Sequence, residues 1–109
     1  MSLFLSTNIR NEIMDQRVRL KHPQRKKAVS MSKGKYDLLK QVMVKYLHAQ
    51  GKATFNEILS AIEKGFKKER TEFQGSLPWY VEWVKLDLEA RKVIKRVAST
   101  SPQEYVLIR

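Results

Sequence analysis

A chain of 109 residues with 42% hydrophobic content is sized for one domain around a modest core, since domains usually run ~100–150 residues. It has no cysteine, which excludes disulfide frameworks, thiol catalysis and cysteine metal sites, and no apolar run nears the roughly 18 residues that cross a membrane. Lys and Arg number 22 against 11 Asp and Glu, a net charge of +11 that points to a polyanionic partner, nucleic acid first, although it also serves plain solubility.

Residues 1–34 read as a basic N-terminal arm. Met1 to Leu5 lacks a basic start and is a poor signal peptide, and Met1-Ser2-Leu3 is compatible with a vector-derived scar. Between Arg10 and Lys35 stand nine basic residues and two acidic ones, Glu12 and Asp15. Ile9, Ile13 and Arg17-Val18 suit a short helix, whereas Arg17-Val18-Arg19-Leu20 alternates like an edge strand. His22-Pro23 interrupts regular structure. Arg25-Lys26-Lys27 is a compact basic cluster, either a phosphate-binding arm or a solvated tail.

Residues 35–109 read as the folded domain. The spacing of Tyr36, Leu39, Val42, Met43, Tyr46 and Leu47 predicts a helix over 35–50, stopped by Gly51. Lys52-Ala53-Thr54 is a short edge strand. Thr54-Phe55-Asn56-Glu57 is a capping box that opens a second helix over 55–68, with Ile58, Leu59, Ile62 and Phe66 inward and Lys64, Lys67 and Lys68 outward. Phe73 anchors the polar connection after it. Ser76 caps a third helix, and Pro78 fits its first turn. On a wheel, Leu77, Val81, Val84 and Leu88 form one apolar stripe. Trp79, Trp83, Leu86 and Ala90 form another on nearly the opposite side, so this helix asks for cover twice: by the other helices, and by the arm, a second subunit or a partner. Val93–Ala98 and Glu104–Ile108 make a closing hairpin around Ser99-Thr100-Ser101-Pro102.

Helix, short strand, helix, helix, hairpin is the winged helix-turn-helix order, an α+β class that is mainly α: three helices, a C-terminal β-hairpin wing and here a basic arm. The run Leu86 to Val97 resembles the helix-to-wing junction of winged-helix regulators. It departs from them at Lys92, where glycine usually stops the helix; a left-handed lysine costs on the order of 1 kcal/mol. Arg17-Val18-Arg19-Leu20, Gly34-Lys35-Tyr36, Phe73-Gln74-Gly75-Ser76, Trp79-Tyr80 and Val84 to Arg91 resemble an uncharacterised bacterial winged-helix family of unknown function, over residues 17–109. The junction is also similar to the amino-terminal winged helix of some restriction endonucleases, although no nuclease domain accompanies it. The resemblance implies a fold and no activity.

No catalytic or metal-binding constellation stands out, and no cofactor or small-molecule ligand is expected. His22 and His48 lack ligand spacing, and Asp87 and Glu89 point in different directions. Ser30 to Lys35 lacks the glycines of a phosphate loop. The expectation is therefore a cytoplasmic, non-enzymatic protein that binds duplex DNA, with transcriptional regulation as its role. Ser76, Trp79, Glu82 and Lys85 would lie nearest the major groove. Lys95, Arg96 and the wing tip, Ser99 and Thr100 to Gln103, would meet phosphate or minor groove, with Arg25, Lys26, Lys27, Lys33 and Lys35 adding phosphate contacts. Trp79, Trp83 and Leu86 would pack under the arm or form an interface. Trp and Glu read bases poorly, so the alternative is a winged helix used for protein interaction or homodimerisation.

Overall fold

The computed structural model describes residues 16–26 and 29–108. Among these residues it is a small α+β structure with three helices and two antiparallel sheets. In chain order these are β1 (Arg17–Arg19), β2 (Ser30–Ser32), α1 (Lys33–Gln50), β3 (Lys52–Thr54), α2 (Phe55–Lys68), α3 (Leu77–Ala90), β4 (Ile94–Arg96) and β5 (Glu104–Leu107). β1 pairs with β2, Val18 facing Met31. The second sheet has the order β3-β5-β4, so the last strand lies between the other two. Ala53 faces Tyr105 across one seam, and Ile94 faces Leu107 across the other. Among the described residues no helix is long and apolar enough to cross a membrane.

Local chemistry explains the element ends. Ser32 caps α1, its hydroxyl accepting from the Lys35 amide, so the helix starts at Lys33 rather than Lys35. Gly51 ends it with φ 87°, its N–H returning to the Leu47 carbonyl at 2.8 Å. The capping box of α2 is complete: the Glu57 amide donates to Thr54 Oγ1 at 3.1 Å, and the Thr54 amide to Glu57 Oε1 at 2.9 Å. α3 stops at Lys92, whose φ of 65° is the left-handed conformation foreseen there.

One core joins every element. Leu39, Met43 and Leu47 of α1, Ile58 and Ile62 of α2, and Val81, Val84 and Leu88 of α3 converge with Ala53, Ile94 and Tyr105 of the sheet. Fully burying each large aliphatic side chain contributes about 1.5–3 kcal/mol. Leu20 and Met31, each 1% exposed, belong to this core, so the β1–β2 hairpin packs as part of the fold. Of the short helix suggested for Ile9, Ile13 and Arg17-Val18, Ile9 and Ile13 lie outside the described residues, and Arg17-Val18 is strand β1.

Candidate nucleic-acid interface

α3 positions the surface, and its start is tightly fixed. The Trp79 amide donates to the Ser76 hydroxyl at 3.4 Å, so Ser76 is a cap. Gly75 has φ 104°, and a Cβ there would lie 2.8 Å from the Tyr80 ring. Phe73 stacks on Phe66 at 5.9 Å and meets Tyr80 edge-on at 5.1 Å, anchoring the connection. Lys35 is drawn into the same corner: its Nζ donates to the Gln74 carbonyl at 2.6 Å and sits 4.5 Å above the Tyr80 ring. Lys33 pairs with Asp37 at 2.6 Å on the surface.

The two polar flanks of α3 are also occupied. Asp87 is fully buried. Its carboxylate accepts from the Tyr36 hydroxyl, from Arg91 Nε at 2.9 Å and from the Lys21 amide at 2.7 Å. It thereby ties α3 to α1 and to the hairpin. Burial, then the bond to Asp87 and that residue's charge, push the Tyr36 hydroxyl well above the usual phenol range. On the other flank Lys85 is buried and reaches Glu82 at 3.2 Å and the Tyr105 hydroxyl at 3.1 Å. Arg96 Nε holds Glu89 Oε1 at 2.9 Å, which raises the guanidinium pKa and keeps it cationic.

The hairpin loop faces the C-terminal half of α3, Lys92 and the end of β4, leaving a groove between them. Its floor and walls include His22, Pro23, Lys26 and Glu89 along its length. Arg19, Lys21, Arg25 and Lys92 line one end, and Gln24, Glu82, Leu86 and Arg96 the other. The loop has its shape because the amides of Arg25 and Gln24 donate to the His22 carbonyl and Nδ1, at 2.9 and 3.0 Å.

The sequence-derived candidates thus part company. Arg25, Lys26 and Arg96 come together across this groove. Lys27 lies outside the described residues. Lys35, Ser76 and Lys85 make the internal contacts described above, and Lys33 pairs with Asp37 on the surface. Lys95 is exposed on β4, and Ser99 is exposed at the wing tip with φ 62°. Thr100 builds the wing turn, accepting from the Glu104 amide at 2.8 Å. Leu86 is buried, Trp83 is half-buried against His22 at 6.0 Å, and Trp79 remains 43% exposed. Sequence reasoning missed Arg19, Lys21 and Lys92 as groove residues. Their charge was visible, but their meeting depends on the β1–β2 pairing. Among the described residues no group of three or more His, Asp or Glu is placed to hold a metal ion.

Comparison with known proteins adds one finding. The family of unknown function DUF6958 matches residues 17–105, from the first residue of β1 into β5. No curated protein and no solved structure matches the chain.

Proposed function

The chain belongs to this family of unknown function, and we propose that it is a winged-helix module that holds duplex DNA through its phosphates. The winged-helix part is supported by the element order from α1 to β5 and by β5 lying between β3 and β4. The observation that carries the DNA part is the groove, where Arg19, Lys21, Arg25, Lys26 and Lys92 line one cleft beside Arg96. In that pose α3 approaches the major groove while the hairpin loop and wing track the backbone. Glu82, Trp79 and Trp83 read base edges poorly, so affinity rests on phosphate contacts.

The test is a fluorescence-anisotropy titration with random duplex DNA at low and moderate salt. Binding should weaken with salt by about 0.9 in log–log slope for each phosphate neutralised. The Arg25→Ala/Lys26→Ala pair should lower that slope by about 2. A protein that leaves duplex DNA unbound at low salt disproves the reading.

A second reading has its own observation. Trp79 stands 43% exposed beside Trp83, as an aromatic anchor of a protein interface would. Light scattering separates the two: a stable dimer at micromolar concentration that Trp79→Ala dissolves favours assembly, and a monomer rules out a stable homodimer.

A further inference from the structure

Trp79, Trp83 and His22 form a row of rings. The Trp79 and Trp83 centroids lie 6.2 Å apart, and Trp83 meets His22 edge-on at 6.0 Å. Tyr80 braces the outer end, 5.0 Å from Trp79 at an interplanar angle of 81°. The row runs from the exposed face of Trp79 to His22, which is also part of the basic groove. An exposed tryptophan braced by its neighbours, and joined through Trp83 and His22 to a cleft that holds Arg19, Lys21, Arg25, Lys26 and Lys92, is the pairing that single-stranded nucleic acid needs. The bases stack on rings while the phosphates follow the positive charge.

We propose that Trp79 is a stacking platform for an unpaired nucleobase, so that the preferred ligand carries a single-stranded segment next to the phosphates held in the groove. This deepens the DNA reading above and rests on it for the groove contacts. Charge sets the direction. Glu82 lies beside the row and repels phosphate, although Lys85 at 3.2 Å offsets part of its charge. The backbone therefore keeps to Arg25 and Lys26 on the far side of His22, and the base turns toward the indole.

The experiment compares three probes by anisotropy and tryptophan fluorescence: a blunt duplex, the same duplex with a short oligothymidine overhang, and the overhang strand alone. The overhang should tighten binding about fivefold or more and quench the protein's emission. Trp79→Ala should abolish that gain, so that overhang and blunt duplexes bind the variant alike and without quenching, and Trp79→Phe should retain part of it. Equal affinity for blunt and overhang duplexes, without quenching, overturns the stacking proposal and leaves the duplex reading standing. Binding of the single strand and the overhang probe with quenching, but not of the blunt duplex, sinks the duplex reading and keeps the platform. If none of the probes binds at low salt, both fall.

Discussion

Asp87 has no exposed surface, yet it lies on a polar flank of α3. Its cost of burial is met by three donors from three parts of the chain: Tyr36, Arg91 and the Lys21 amide. Removing the carboxylate orphans the buried Tyr36 hydroxyl, at about 1–3 kcal/mol, and frees the part-buried Arg91 and Lys21 donors. Asp87→Ala should therefore lower stability by about 3 kcal/mol in urea denaturation. The Tyr36→Phe/Asp87→Ala double mutant should lose less than the sum of the two single losses. Tyr36 adds a pH dependence. Its folded-state pKa is raised, so the folded protein binds the phenol proton more tightly than the unfolded chain. That advantage is complete below the unfolded value of about pH 10 and is lost as the pH rises above it. The stability advantage of wild type over Tyr36→Phe should be constant up to about pH 9 and shrink steadily as the pH rises above about 10. Parallel curves would contradict the assignment.

At the level of elements, the helix ends carry the clearest local energetics. After Arg91, the Lys92 amide returns to the Glu89 carbonyl at 3.1 Å and the Val93 amide to the Leu88 carbonyl at 2.9 Å. This is a Schellman ending, with lysine in the position that favours glycine. α2 closes the same way through Arg70, φ 57°, and the Thr71 amide returning to Phe66 at 2.8 Å. Relief of left-handed strain exceeds the added freedom of an unfolded glycine, so Lys92→Gly should raise stability by up to about 1 kcal/mol. A lower melting temperature would mean that the lysine stem makes compensating contacts. Gly75→Ala should act in the opposite sense. There φ is 104° and a Cβ would press on Tyr80 at 2.8 Å, so a loss of about 1–3 kcal/mol is expected by thermal denaturation.

For the whole molecule the question is how far the cooperative unit extends. Leu20 and Met31 share the core with Leu88, so the β1–β2 hairpin should unfold together with the helices. Leu20→Ala should cost about 2–5 kcal/mol, like a core leucine in a helix. A near-neutral Leu20→Ala would show that the hairpin is peripheral. The same packing decides the shape of the candidate interface, because the hairpin loop forms one wall of the groove and Arg96 and Lys92 stand on the other. Detaching the hairpin should therefore lower polyanion affinity as well as stability.

Periodicity and capping chemistry were enough, from the sequence alone, to place the three helices, the short β3 and the closing hairpin. Those signals are local: Leu39, Met43 and Leu47 repeat at helical spacing, and Thr54 and Glu57 cap within one turn. Lys92 was marked as the helix stop by the resemblance to the winged-helix junction, and its φ of 65° lies in the left-handed region. The candidate site was legible only in part. Arg25, Lys26 and Arg96 were visible as charge, but that Arg96 would be held by Glu89 while Lys35 and Lys85 were drawn into internal contacts was not. Lys85 and Asp87 sit on polar flanks of a helix wheel, and only Tyr105, Tyr36, Arg91 and the Lys21 amide, arriving from distant parts of the chain, make their burial tolerable. Two faces of α3 asked for cover in the sequence. Tertiary structure decided that the hairpin reaches Trp83 through His22 and leaves Trp79 in the open, because Leu20 in the core and the Lys21 amide on Asp87 place His22 beside that part of the helix.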